Sequence, residues 1–254
     1  MSRAPAWAPP LLAVQFLTRL PVPGLARLSA AAAADGFARA MAWLPLVGAA
    51  IGLVTATVFT ASAMLWPPVI AALLALVVEA LLTGALHEDA VADFCDAFGG
   101  HARGEEALRI LRDSRIGSYG ALGLGLTVAL RCAAIVALPP ALAVAAIVAA
   151  ATLGRLWAVL LAAILPPVGA GTAARTGGVP PRRALLALLA SVPGVAPLAW
   201  SMPTAVAIQA AVALVLLPAL ARFLRRRIGG STGDGLGFAV AIGQLALLLG
   251  VAAR

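Results

Sequence analysis

The feature that most limits what this chain can become is a set of long apolar runs, each carrying at most one formal charge. Seven stand out: Met41 to Leu65, Val69 to Leu86, Tyr119 to Leu138, Ala141 to Leu165, Ala184 to Trp200, Pro203 to Ala221 and Phe238 to Ala253. Crossing a bilayer takes about 20 apolar residues at about 1.5 Å rise each, so the runs predict an all-α integral membrane protein of about seven transmembrane helices. Only 11% of the 254 residues are charged, against roughly 25% in soluble domains, which excludes an ordinary soluble enzyme. The fifth run is short and is interrupted by Pro193 and Pro197.

A net charge of +8 would suit nucleic acid binding, but the placement of the charges argues against it. All 18 basic residues are Arg. Arg3, Arg19, Arg27 and Arg39 precede the first run; Arg103, Arg109, Arg112 and Arg115 follow the second. Arg175, Arg182 and Arg183 follow the fourth, and Arg222, Arg225, Arg226 and Arg227 follow the sixth. With seven spans these segments share one side, while the opposite connections "WPP", "PP" and "SMP" carry no charge. By the positive-inside rule the N-terminus and the Arg-rich loops face the cytoplasm, as expected of a multi-pass protein of the cell's inner membrane. Arg254 alone falls outside this pattern. The chain reads as one polytopic domain, 1–254, with an N-terminal segment 1–40, an acidic loop 87–118 and a Gly-rich loop 222–237. Within the first, "PPLLAVQFLTRLPVPG" is too short and too rich in Pro to span, and reads as an interfacial helix.

The loops carry the chemistry. Seven of the ten acidic residues lie between Glu88 and Asp113. Asp89, Asp93 and Asp96 stand at i, i+4 and i+7, so they share one face of a helix continuing from the second run. Like charges at that spacing repel; either water or a hard divalent cation such as Mg²⁺ must relieve them. His87 stands two residues before Asp89 and either anchors the interface or moves a proton. With only His101 beside it, no zinc set is available. "EEALRILRDSRIGSYGALG" reads as an amphipathic helix whose Arg109, Arg112 and Arg115 snorkel or grip phosphate. "RRRIGGSTGDGLG" is a flexible turn or a backbone cradle for an anion, with Asp234 the one acid of the C-terminal half. Glu79, Arg131 and Arg155 lie within apolar runs, where charge is costly, so they should face the bundle interior and pair. Cys95 and Cys132 imply no disulfide framework.

"FLTRLPVP", "LTGALHEDAVADFCDAFGG", "LRILRDSRIGSYG" and "GGSTGDGLGFAVAIGQL" together resemble the cobalamin synthase family, the adenosylcobinamide-GDP ribazoletransferases, in the family's order and from about Leu11 to Leu249. The resemblance implies a membrane enzyme that joins adenosylcobinamide-GDP to α-ribazole or α-ribazole 5'-phosphate and releases GMP, with Mg²⁺. It maps the family's "HLDGLAD" onto His87 through Asp93, its "DSR-G" onto Asp113, Ser114, Arg115 and Gly117, and its "GG-TGD" onto Gly229, Gly230, Thr232, Gly233 and Asp234. Glu88 stands where the family usually has Leu, and Ala90 where it has Gly; Glu88 thus adds charge to a face that would normally be apolar. The implied roles are Mg²⁺ held by Asp89, Asp93 and Asp96, with Asp234 as a further ligand. Arg112 and Arg115 would then face the phosphate, the Gly229 to Gly233 loop would contact phosphate or nucleotide, and His87 or an aspartate would act as base. Two rival classes remain: a CDP-alcohol type phosphotransferase, whose aspartate pattern matches poorly, and a small-solute transporter, which would place its polar residues at the midplane. Whether the chain acts as a homo-oligomer stays open.

Overall fold

The computed structural model describes residues 3–168 and 178–253; Arg175 and Arg254 lie outside the described residues. Eleven α-helices follow in chain order: α1 (Ala8–Leu17), α2 (Ala30–Ala40), α3 (Leu44–Ser62), α4 (Pro68–Thr83), α5 (Leu86–Gly99), α6 (Gly104–Ile110), α7 (Ser118–Ala137), α8 (Pro140–Ile164), α9 (Pro181–Ser201), α10 (Pro203–Ile228) and α11 (Gly233–Ala252). No strand forms among the described residues; a single bridge pairs Pro167 with Ser231.

Among the described residues six helices are long and apolar enough to cross a membrane, with α2 and α3 counted as one through the 3-10 turn Met41–Trp43, and there are seven if the pair α4–α5, bent by 90°, is counted as one span. This multi-pass architecture matches the seven apolar runs. We assign the crossing part of that pair to the apolar α4 and leave α5, with its run of ionisable residues, outside the spans. The fifth run survives its prolines: α9 continues through Pro193 and Pro197, because neighbouring turns and Ser side chains can satisfy the freed carbonyls.

Inside a bilayer the hydrophobic effect does not drive helices together, so close packing and polar contacts must. The small residues show where backbones meet. A Cβ on Gly154 of α8 would stand 2.6 Å from Val240 O of α11, and one on Gly48 of α3 would stand 2.6 Å from Ala151 O of α8. Glu79 of α4 provides the polar contact. It accepts from Arg131 Nη2 of α7 at 2.8 Å and lies 3.8 Å from Arg155 Nη1 of α8. Gln244 of α11 and Thr55 of α3 also donate to it, each at 3.5 Å. The expected intramembrane pairing is therefore present, and it involves both arginines.

The Arg-rich helix ends gather at one end of the bundle. Arg183 donates to Ala38 O at 3.1 Å, Arg225 to Ile164 O at 3.3 Å and Arg227 to Gly100 O at 2.8 Å. Two backbone bonds of 2.9 Å, Val168 N to Ser231 O and Ser231 N to Pro166 O, join the segment after α8 to the α10–α11 connection. The N-terminal helix does more than lie at an interface. Its Ala8, Leu12, Ala13 and Leu17 are buried in a cluster with Leu44, Val47 and Ile51.

Replacing Glu79 by Ala leaves two buried guanidiniums without their shared carboxylate. Breaking a buried pair in this way costs about 3–5 kcal/mol, and thermal unfolding in detergent should show that loss, with Glu79→Gln less affected.

Candidate functional site at the bend between α4 and α5

The site begins with a break in the backbone. Gly84 and Ala85 both adopt left-handed conformations, with φ of +67° and +55°. Glycine takes this region freely, whereas an alanine gives up about 1–2 kcal/mol. A Cβ on Gly84 would also meet the Arg19 guanidinium, which would have to swing aside. The two residues turn the chain by 90° and start α5 at Leu86. His87, in its first turn, is 6% exposed, and neither ring nitrogen has a hydrogen-bond partner among the described residues.

His87 lines a cavity of about 170 Å³. Asp89 lines it from α5, Gly233 and Asp234 from α11, and Arg155 from α8; these make its polar end. Asp234 arrives there because Thr232 caps α11, its hydroxyl accepting from Gly235 N at 3.2 Å, and an acid in the first turn complements the helix dipole. Gly237 then rests directly on Ala90, so α11 can abut α5. The opposite wall is apolar and includes Phe16, Phe37, Met41 and Leu236. Phe16 and Phe37 meet edge to face with centroids 5.2 Å apart, which makes the N-terminal segment part of the site.

The acids of α5 do not act as one row. Asp89 faces the cavity, whereas Asp96 accepts from Gly117 N at 2.7 Å and Gly120 N at 2.8 Å, holding the start of α7. A Cβ on Gly117 would stand 2.5 Å from Asp96 Oδ1, so this glycine is needed for that contact. Glu88 turns a third way and accepts from Arg131 Nη1 at 3.2 Å. Its charge is thus matched across the α5–α7 contact, and the helix does abut its neighbour. Asp93 stays half-buried between the two groups. Burial first, and then the charges of Asp89, Asp234 and Asp96, push its carboxyl up to about 6. Among the described residues no three His, Cys, Asp or Glu side chains form a complete metal set. What the fold does bring together is the pair Asp89 and Asp234, from α5 and α11, with Asp93 behind them. That pair suits a hard cation of the magnesium kind, which usually takes one or two carboxylates and completes its shell with water and substrate phosphate.

The remaining expected residues lie apart from the cavity lining. Asp113 and Arg115 pair at 2.6 Å, with the Arg115 side chain 84% exposed; hydrogen bonds from Arg115 hold the Asp113 carboxyl down to about 2. Ser114 and Arg112 are exposed. Of the Gly-rich segment, Gly233 to Gly237 are helical. Gly229 closes α10 in the left-handed region at φ +86°, as glycine commonly does after a helix. Gly230 lies against Pro166 O, with no space for a side chain. Residue types and spacing had pointed to a loop where the fold has a helix cap and a close backbone approach. Arg155, Phe16, Phe37 and Met41 belong to the lining but were not read as site residues; only Arg155 carried a signal, an unneutralised cation in an apolar run.

A family model described as cobalamin-5-phosphate synthase matches residues 9–252. An adenosylcobinamide-GDP ribazoletransferase of Azorhizobium caulinodans is 41% identical, the match covering 94% of this chain and 93% of that protein. Those of Bradyrhizobium diazoefficiens and Shewanella frigidimarina are 39% and 37% identical. These two matches cover 95% and 94% of this chain, and 92% and 91% of the relatives. No solved structure gives a significant match.

The position of Asp93 predicts a pH effect on stability. Its folded-state value of about 6 lies above the ordinary 3.8, so ionisation penalises the fold, with no penalty below about pH 4 and the full penalty above about pH 6. In the metal-free protein Asp93→Asn should raise the thermal midpoint at pH 8 and leave it unchanged at pH 4.

Proposed function

The chain belongs to the cobalamin-5-phosphate synthase family, and from that premise we propose that the cavity between α5, α8 and α11 is where a GDP-activated corrinoid and α-ribazole react. The chain is a transferase of the last step of nucleotide-loop assembly in cobalamin synthesis. The substrates named by its relatives, adenosylcobinamide-GDP and ribazole, carry over to it as donor and acceptor of one phosphoryl transfer. A ribose hydroxyl of α-ribazole, or of its 5'-phosphate, attacks the phosphorus nearer the corrinoid. A new P–O bond forms, the bond from that phosphorus to the bridging oxygen breaks, GMP leaves with that oxygen, and the hydroxyl proton passes to a base.

One observation carries the reading: an unpartnered, buried His87 shares one cavity with two carboxylates from different helices. Phosphoryl transfer asks mostly for positioning and neutralisation of charge. Asp89 and Asp234 would hold Mg²⁺, which when bound supplies positive charge against the diphosphate. Asp93 adds negative charge behind that pair. His87, with both nitrogens free, is placed to accept the hydroxyl proton; the apolar wall formed by Phe16, Phe37 and Met41 offers a surface for the aromatic base. Arg112 and Arg115 sit outside the lining, where they meet substrate only as it approaches. With the positive-inside bias, the cavity end of the bundle faces the cytoplasm of an inner-membrane protein, where soluble enzymes deliver the activated corrinoid.

The test is GMP release by the purified protein in lipid or detergent, supplied with adenosylcobinamide-GDP and α-ribazole. Turnover should require Mg²⁺. Asp89→Asn and Asp234→Asn should each lower kcat at least 100-fold while inserting and unfolding normally, and His87→Ala should do so at saturating Mg²⁺. Full activity in both aspartate variants would remove the cation role.

A further inference from the structure

Arg155 has more hydrogen-bonding capacity than the protein uses. The side chain is 0% exposed. Its Nη1 donates to Ala151 O at 3.3 Å and stands 3.8 Å from Glu79 Oε1. Nε and Nη2 have no hydrogen-bond partner among the described residues. Arg131, by contrast, is matched by two carboxylates, Glu79 at 2.8 Å and Glu88 at 3.2 Å. Glu79 is thus shared between two cations, with its shorter contact to Arg131, which leaves Arg155 with charge the surrounding protein does not neutralise. A buried donor without a partner costs free energy, more so when charged. The side chain lines the same cavity as His87, Asp89 and Asp234.

The identity of the free atoms narrows the ligand. Nε and Nη2 lie on one edge of the guanidinium, and their N–H bonds are the parallel pair that grips two oxygens of one phosphoryl or carboxyl group. The arginines that the motif spacing favoured lie outside the cavity lining: Arg115 is paired with Asp113 and exposed, and Arg112 is exposed. We propose that the Nε–Nη2 edge of Arg155 binds two oxygens of a phosphoryl group of the diphosphate donor, in the cavity it shares with the carboxylates Asp89 and Asp234. This rests on the reading of the cavity as a site of diphosphate transfer. In the transfer step Arg155 stays protonated, forming and breaking no covalent bond. It binds the group under attack and offsets charge that grows as the P–O bond to GMP lengthens.

The full chain in detergent, compared with Arg155→Gln and Arg155→Lys, tests this through two readouts. Calorimetric binding of inorganic pyrophosphate in the presence of Mg²⁺ should weaken at least tenfold in Arg155→Gln, with partial recovery in Arg155→Lys. In the GMP-release assay Arg155→Gln should lose at least 100-fold in kcat/KM for adenosylcobinamide-GDP. A folded Arg155→Gln with wild-type pyrophosphate affinity would overturn the proposal, as would a wild-type protein that does not bind pyrophosphate. If Arg155→Gln does not fold, Arg155→Lys decides: unchanged affinity overturns the two-point grip, and weakened affinity upholds it. Arg155-dependent pyrophosphate binding by a wild-type protein that releases no GMP would uphold the anion site while removing the transferase reading beneath it.

Discussion

The structure depends on a carboxylate placed where a lone charge could not survive. Glu79 is 4% exposed on an apolar helix, and the polar groups around it come from α3, α7, α8 and α11. A charge in that setting is tolerated only when it faces the bundle interior and finds partners. Helix faces that lipid alone would leave free to rotate are thereby set in register. Arg131 extends the network to Glu88 on α5, so the helix carrying the site is tied to the same buried charges that orient the spans.

Geometry at the bend turns that framework into a site. Two consecutive left-handed residues, Gly84 and Ala85, end an apolar helix and redirect the chain by 90°. Without the turn, α5 would run on along the axis of α4. With it, successive residues of α5 point in different directions, as the helical repeat requires. Glu88 pairs with Arg131, Asp96 holds the start of α7, and Asp89 meets Asp234 in the cavity. One acidic cluster therefore serves three separate neighbours. A single substitution in it would be misread if all its members were taken as metal ligands.

The cavity is two-sided in the way a nucleotide-like acceptor demands. Its polar end collects His87, Asp89, Arg155 and Asp234, while its other wall includes the edge-to-face pair Phe16 and Phe37. Phe16 comes from α1 and Phe37 from α2, so α1 is packed against the bundle as part of the site. Small residues make the rest possible. Gly237 on Ala90 and Gly154 on Val240 let α11 approach both α5 and α8, which is what brings Asp234 within the same cavity as Arg155.

Much of this could be read without coordinates. The number of crossings, the clustering of arginine in alternate connections and the concentration of acids after the second run are consequences of local hydrophobicity and spacing. The motifs that led to the family were likewise legible as strings, and they included His87, Asp89 and Asp234. Other assignments needed the fold. Gly229 and Gly230 looked like a phosphate cradle, yet one ends a helix and the other clears Pro166 O. Asp96 had the spacing of a ligand but spends both oxygens on backbone N–H groups. Arg155 was only a costly charge along the chain; the fold makes it a cavity residue with two donors unpartnered among the described residues. The reason is physical: hydropathy and helical periodicity act over a few turns and are written along the chain. Which way a side chain points, and what it meets from a helix 60 or 150 residues away, is decided only when the helices pack.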